Sequence, residues 1–288
     1  MQTANKTIDE FDSYSKKLHK ELSDLAIPSN PDGKTRAKVT SILRAANDLM
    51  TRIVFDYLDE HPFSGNEAKS LFCKKTDVLV SNVFGLVSER FHPLTNRSES
   101  LNLSLVAIGG YGRGEMAPYS DIDLLFLSPH HQTGWAKSVV ESILYVLWDL
   151  KFKVGHSSRT ISDCIQLAFD DLTIRTSMLE KRYLCGNKEL FEELSTTLKR
   201  KVFSKKASSF VEGKLSERTE RHLKHANARY MLEPNIKEGK GGLRDLHTLY
   251  WISKYIYKTD DIESLLEKKI FKKSELKIFT EAENFLWF

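Results

Sequence analysis

Cysteine is scarce in this sequence, and the three that occur, at positions 73, 164 and 185, are isolated from one another. None belongs to a Cys-x-x-Cys pair, which argues against a disulfide scaffold or a zinc site and favours a reducing compartment. Long apolar runs are also missing, since none approaches the roughly 20 residues of a membrane helix. The first residues lack the apolar segment of a signal peptide. We therefore expect a cytoplasmic protein with no membrane partner.

Strong charge imbalance is absent too, with a formal net charge of +4 over 288 residues. Hydrophobic residues make up 41% and charged residues 28%, a profile that can bury a core of ordinary size. Basic residues concentrate between positions 197 and 229, where ten Lys or Arg stand against three Glu. A solvated helical face and a basic wall for a triphosphate or an acidic partner both remain open. Aromatic residues are sparse there, so we expect no nucleic-acid partner.

The pattern of apolar residues divides the chain into three segments. Residues 1–92 and 187–288 have apolar residues at helical intervals, whereas residues 93–186 form a small mixed α/β domain after a polar linker. Strands are predicted at residues 103–108, 121–127, 152–158 and 183–185. Helices are predicted at residues 9–25, 35–58, 66–90, 135–150, 161–169 and 172–181.

The stretch that organises the rest is residues 109–127, GGYGRGEMAPYSDIDLLFL. Alternate residues of a strand point to the same face, so Asp121 and Asp123 are expected side by side, with Ile122 in the core. Two such carboxylates repel each other unless a cation lies between them, and Mg²⁺ accepts carboxylate oxygens while leaving positions open for phosphate. The glycines before them let the backbone aim N–H groups at an anion. This pattern predicts a site for a metal–nucleoside triphosphate.

Roles follow for individual residues. Asp121 and Asp123 are expected to hold the metal and act in catalysis, while the N–H groups of Gly110 to Gly112 receive the phosphates and Ser120 offers a hydroxyl. Four basic residues could offset charge on the departing pyrophosphate, and the sequence prefers no single one: Arg113, Lys237, Lys240 and Arg244. The last three lie around a glycine-containing loop that runs into a helix. An anion site at that helix N-terminus and a purely structural turn are both open.

Competing interpretations fit less well. A dinucleotide fingerprint, Gly112-x-Gly114-x-x-Ala117, should open a long helix, but Pro118 interrupts it and a new strand follows. A connection with two surface aspartates is the plainer alternative. Gly33-Lys34-Thr35 resembles the end of a P-loop without its preceding strand or first glycine. His222 and His225 are spaced as a metal pair would be on a helix, but without an evident third ligand they are interpreted as surface histidines.

The segments GGYGRGE at 109–115 and PYSDID at 118–123 resemble the nucleotidyltransferase domain of the bacterial PII uridylyltransferase/uridylyl-removing enzymes. Further segments agree in the family's order: VGHSSRT at 154–160, DLT at 171–173 with LEKR at 179–182, and LEPN at 232–235 through GGLRD at 241–245. The resemblance implies an α+β, polymerase-β-like fold with a small mixed sheet flanked by helical segments. It also implies Mg²⁺, UTP as donor, and transfer of UMP to a tyrosine of the nitrogen-signalling PII protein. Asp121 and Asp123 match the family's metal pair, and Gly109 and Gly110 its triphosphate turn.

The chain departs from this family in two respects. The full enzymes carry a uridylyl-removing phosphohydrolase domain and two ACT domains after this region, whereas this sequence stops at Phe288 within what resembles a family helix. We therefore expect a fragment without uridylyl-removing activity. The wider superfamily often places a third carboxylate on the strand after the helix, but residues 151–156 read KFKVGH. The general base is unassigned, and a binding module without turnover, or an enzyme that modifies another protein, shares the same site.

Overall fold

The computed structural model describes residues 2–29, 31–93, 103–130, 133–204, 207–225, 233–258 and 264–287. It opens with three long helices, α1 (Gln2–Ser23), α2 (Gly33–Glu60) and α3 (Gly65–Leu86), the last continued by a π-helical turn at Val87–Phe91. The side chain of Asp32 accepts a hydrogen bond from the N–H of Thr35 at 2.8 Å and so caps the start of α2. The predicted helical N-terminal segment is thus confirmed, although α1 begins and ends earlier than expected. Most of the predicted linker, residues 94–100, lies outside the described residues.

The chain then forms one four-stranded sheet from β1 (Ser104–Ala107), β2 (Ile122–Ser128), β3 (Val154–Thr160) and β4 (Arg182–Gly186). The order is β3-β2-β1-β4, in which β1 runs antiparallel to β2 and β4 while β2 runs parallel to β3. All four predicted strands are therefore confirmed in a small mixed sheet. Their ends shift by a residue or two, and Asp121 lies just before β2 rather than inside it.

Helices fill the connections and the remainder of the described chain. Those before β4 are α4 (Gly109–Arg113), α5 (Gly134–Asp149), α6 (Ile161–Asp170) and α7 (Leu172–Leu179). Those after it are α8 (Lys188–Lys201), α9 (Ser208–Lys224), α10 (Leu243–Tyr257), α11 (Ser264–Glu267) and α12 (Lys273–Trp287). The expected return to helix after residue 187 is confirmed in the described part, where none of the helices is both long and apolar enough to cross a bilayer.

The two faces of the sheet pack into different cores because strand side chains alternate. Ile122, Leu124 and Phe126 join the core formed with the N-terminal helices and α5. Leu125 and Leu127 join a second core, formed with α6, α8 and α10. Asp123 has the same parity as Leu125 and thus lies on the second face, where β2 begins. The boundaries of the three sequence segments remain a prediction, although the first segment shares its core with the sheet.

Candidate active site

The acidic pair lies where β2 begins. Asp121 is exposed, Ile122 is fully buried and Asp123 is half-buried. Asp123 is held in register by its carbonyl, which accepts the N–H of Ile108 at 3.1 Å, and by its pairing with Gly155 of β3. Burial and the charge of Asp121 raise the pKa of the Asp123 carboxyl. The two carboxylates therefore interact unfavourably, a situation that a divalent cation between them would relieve.

Two glycines enclose the carboxylate of Asp123. A Cβ on Gly109 would lie 2.9 Å from Oδ2, and a Cβ on Gly155 would lie 2.4 Å from Oδ1. Gly109 also has a φ of +61°, in the left-handed region that favours glycine. The side chain of Asp123 thus has a defined position because both neighbours lack side chains.

The third predicted glycine has another role. The N–H of Gly112 donates to the carbonyl of Ile108 at 3.0 Å, and its predicted role as a phosphate donor stays a prediction. A Cβ on Gly112 would lie 2.3 Å from the carbonyl oxygen of Glu180, so this glycine permits close packing of α4. Gly109 and Gly110 begin α4, whose first N–H groups have no partner within the helix, and their role as phosphate donors stays a prediction.

An open cleft of about 670 Å³ lies beside Asp123. Six of the predicted site residues line it, from two segments far apart in the sequence: Gly109, Gly110, Arg113, Asp123, Lys237 and Arg244. Other lining residues come from α9, which lies in the basic segment interpreted above as a solvated face or a wall for a triphosphate, and from α10. We call this space the Asp123 cleft.

Three predicted side chains do not line the Asp123 cleft: Asp121, which is exposed just before β2, and Ser120 and Lys240, which line other clefts. Ser120 closes a turn in which its Oγ accepts the N–H of Ala117 at 2.9 Å, and it lines a different cleft. Lys240 lines a third cleft, together with Arg218 and His222. The structure therefore does not bring these three side chains into the Asp123 cleft.

The start of α10 does not offer the open N–H groups that an anion would need. The N–H groups of Leu243, Arg244 and Asp245 donate to the carbonyls of Ile236, Lys237 and Gly242 at 2.9–3.0 Å. Of the two interpretations left open for this loop, the structure supports the turn. Any interaction with an anion here depends on basic side chains.

Sequence reasoning missed an ion-pair network at the back of the cleft. Arg113 forms ion pairs with Glu180 and, at 2.7 Å, with Glu115, and the indole N–H of Trp251 donates to Glu180. Burial opposes the charge on Arg113, but the two carboxylates outweigh it and raise its pKa. Burial raises the pKa of Glu180 in spite of Arg113. Glu180 falls in the LEKR segment that contributed to the resemblance, but nothing in the sequence pairs it with Arg113.

Glu115 extends this network towards α3 and α10. Its carboxylate lies 3.3 Å from Nζ of Lys69 and 3.1 Å from Nε2 of His247. Burial raises the pKa of Glu115, but His247, Arg113 and Lys69 outweigh burial and hold that pKa well below its usual range. Arg113 was predicted to contact phosphate, but its guanidinium already forms ion pairs with two buried carboxylates.

The cations of the Asp123 cleft differ in their partners. Three of them form ion pairs with carboxylates. These pairs are Arg244 with Glu238 at 3.3 Å, Lys214 with Glu217 at 2.7 Å, and Arg221 with Asp245. Lys237 forms no ion pair with any residue that the structure describes, and its charge acts on Asp123, where it lowers the pKa. Lys237 is therefore the cation best placed to meet a phosphate beside the acidic pair.

A metal at this site would have two protein carboxylates. Within the described ranges, no group of three or more His, Cys, Asp or Glu residues is placed to hold a metal. The residue of β3 that lies opposite Asp123 is Gly155 and not an acid. His222, which was predicted to be a surface histidine, lies 2.9 Å from Asp245. Asp121 and Asp123 nevertheless fit a hard cation that takes its other ligands from phosphate and water.

This sheet and cleft define a nucleotidyltransferase domain, and residues 94–183 match the family model described as "Nucleotidyltransferase domain". Residues 209–288 match the family model described as "GlnD PII-uridylyltransferase". The chain is 45% identical over 266 residues to a protein of Ruegeria pomeroyi named bifunctional uridylyltransferase/uridylyl-removing enzyme, covering 92% of this chain and 29% of that protein. A protein of the same name from Cereibacter sphaeroides is 50% identical over 212 residues, 74% of this chain and 23% of that protein.

The chain thus spans less than a third of the length of these relatives. It is similar to one part of them, and the family resemblance inferred from its motifs is confirmed. The α+β nucleotidyltransferase fold expected from that resemblance is confirmed as well.

Proposed function

We propose that this chain transfers UMP from UTP to a tyrosine hydroxyl of a PII-type signalling protein in a Mg²⁺-dependent reaction in the cytoplasm. The observation on which this rests most is the carboxylate of Asp123, fixed between Gly109 and Gly155 at a cleft that also contains Lys237. The relatives' name and the matched family description supply the uridylyl group and the PII acceptor. The residues alone identify neither the base nor the acceptor.

The reaction would be an in-line displacement at the α-phosphorus, in which the acceptor oxygen forms a bond to phosphorus and the bond to pyrophosphate breaks. Mg²⁺ held by Asp121 and Asp123 would neutralise phosphate charge and stabilise the attacking and leaving oxygens. Lys237 would contact the phosphates, and the N–H groups of Gly109 and Gly110 would orient them. Gly109, Gly110, Asp123 and Lys237 line the same cleft, and Asp121 lies two residues before Asp123 on the exposed approach to β2.

The acceptor proton also has to leave, because a tyrosine hydroxyl has a pKa of about 10 and is a weak nucleophile at neutral pH. Glu180 lines the cleft but is poorly suited as the base, since Arg113 and the indole of Trp251 already bind its carboxylate. The base therefore remains unassigned among the described residues of the cleft.

One observation favours a second candidate, a module that binds nucleotide or partner without turnover. Among the described residues the acidic pair has no third carboxylate to complete a metal cluster. A binding module would retain affinity for UTP but release no pyrophosphate in the presence of PII and Mg²⁺.

Intact-mass measurement of PII after incubation with the chain and each labelled nucleoside triphosphate tests the proposal. We expect a UMP adduct with UTP only, and release of pyrophosphate. Asp121→Asn combined with Asp123→Asn should abolish both while leaving the fold intact, whereas Asp56→Asn, exposed on α2, should retain them. A native chain that binds UTP but gives no adduct would support the binding module, and an unimpaired double variant would refute the site.

A further inference from the structure

A second cleft, of about 650 Å³, is bordered by residues 116–120, the connection that leads to Asp121. Its lining contains five basic residues and one acid, Asp48, and the basic residues are Arg44, Arg52, Lys75, Lys151 and Lys153. No ion pair joins any of the five to a carboxylate in the part of the chain that the structure describes. We call this space the Lys75 cleft. Its basic residues outnumber the single acid, Asp48, whereas the Asp123 cleft contains several acids beside its basic residues.

Lys75 is unusual among these basic residues because it is buried. Only 7% of its surface is exposed, and its ammonium group donates to two neutral oxygens, Asn47 Oδ1 at 2.9 Å and Thr51 Oγ1 at 3.1 Å. Its Nζ also lies 5.7 Å from the centre of the Phe152 ring. A buried ammonium normally has a carboxylate or another anion in contact with it. An ammonium has three donors, so one donor of Lys75 is left for such a partner.

The floor of the Lys75 cleft is apolar. Phe55, Phe72 and Phe152 line it together with Met116 and Leu150. A cleft with a basic rim and an aromatic floor suits a small molecule that combines an anionic group with an apolar or planar body. Its volume is that of a small-molecule site rather than of a single ion.

One wall of the Lys75 cleft is the connection between α4 and β2. Residues 116–120 line the cleft, and Asp121 follows directly. A turn closes this connection, since the N–H of Ser120 donates to the carbonyl of Ala117 at 3.1 Å. On the other wall, the carbonyl of Lys153 accepts the N–H of Ile122 at 2.8 Å. A ligand in the Lys75 cleft would therefore contact both segments that position Asp121.

We propose that the Lys75 cleft is an effector site for a small carboxylate- or phosphate-bearing molecule, whose anionic group contacts Lys75 and whose occupancy is transmitted to Asp121 through residues 116–120. The proposal that an anion binds here rests on the Lys75 cleft alone. The effect on transfer rests on the proposed function.

The test measures thermal unfolding of the native chain in citrate, inorganic phosphate and pyrophosphate, each against sodium chloride at equal ionic strength. We expect citrate or the phosphates to raise the melting temperature beyond the chloride control, and the probe that does so identifies the anionic group. Lys75→Met should weaken that binding at least about tenfold, because it removes a charge-assisted contact. Arg52→Gln with Lys153→Gln, both exposed on the rim, gives a second variant if the buried substitution fails to fold.

Binding at the Asp123 cleft is separated by the Lys237→Gln variant, which removes a cation of that cleft and in which the anion-dependent shift should persist. No shift beyond chloride in the native chain would overturn the proposal, as would an equal shift in the folded Lys75→Met or rim variant. If binding is lost in Lys237→Gln and kept in the folded Lys75→Met and rim variants, the anion occupies the Asp123 cleft and the effector site is refuted. Absence of UMP transfer would refute the proposed function but would not alter these binding results.

Discussion

The α-carbon of Gly155 lies so close to the carboxylate of Asp123 that a Cβ there would approach Oδ1 to 2.4 Å. The parallel pairing of β2 and β3 produces this contact, because it places the two residues opposite each other. Gly109 closes the other side of the same carboxylate. The position of one metal-binding candidate thus depends on two residues with no side chain.

Gly155→Ala should therefore displace the Asp123 carboxylate while β2 and β3 remain paired. A shift of about 1 Å in a catalytic group can cost on the order of 100-fold in rate, so we expect a loss of that size in UMP transfer. The change is checked by transfer rate and by Mg²⁺ affinity.

Gly85→Ala is the matched control, since a Cβ at this helical position would have nothing within 4 Å. We expect it to keep full activity and to stabilise the fold by about 0.5–1 kcal/mol, because alanine favours the helix. Equal activity of the Gly155→Ala and Gly85→Ala variants would contradict the assigned role of Asp123.

Arg113 should matter more for stability than for nucleotide binding. It lies between the buried carboxylates of Glu115 and Glu180, so Arg113→Met would leave Glu180 without an ion-pair partner among the described residues and Glu115 with Lys69. Removing one partner from such an arrangement costs about 3–5 kcal/mol of unfolding free energy. Urea denaturation at pH 7 measures the loss. Glu180→Gln removes only one acid and should cost less; a larger loss there would show that Arg113 is not the centre of the network.

Much of the fold could be predicted from the sequence because its signals are local. The alternation around Ile122 placed β2 and its buried face correctly, and apolar spacing located α5. The network of Arg113, Glu180 and Trp251 could not be predicted, since it joins residues far apart in sequence that meet only when α10 packs against α7. Gly112 illustrates a different limit, because the sequence shows a glycine but not whether its N–H is free.

Acidification should destabilise the fold through His247. Burial lowers the pKa of this histidine to about 4, so between that value and about 6.5 the unfolded chain binds a proton that the folded chain does not. Stability is therefore lost as the pH falls through this window, by at most about 3 kcal/mol from this residue. Urea midpoints measured from pH 7 to pH 4.5 follow the loss. In His247→Leu the slope with pH should be smaller, and an unchanged slope would contradict the prediction.

Lys237 and Lys240 give the sharpest test of the cleft, because they lie three residues apart in one loop and face different spaces. Lys237 lines the Asp123 cleft without an ion-pair partner among the described residues, whereas Lys240 lines the cleft with Arg218 and His222. Lys237→Gln removes a charge-assisted phosphate contact and should raise the KM for UTP by about tenfold. Lys240→Gln should leave that KM within about twofold, since a surface lysine away from the site contributes little.

Steady-state kinetics at low and high salt distinguish a direct phosphate contact of Lys237 from a remote effect of Lys240, because a direct phosphate contact loses more affinity as salt screens it. If both variants raised the KM equally, the phosphates would not be confined to the Asp123 cleft.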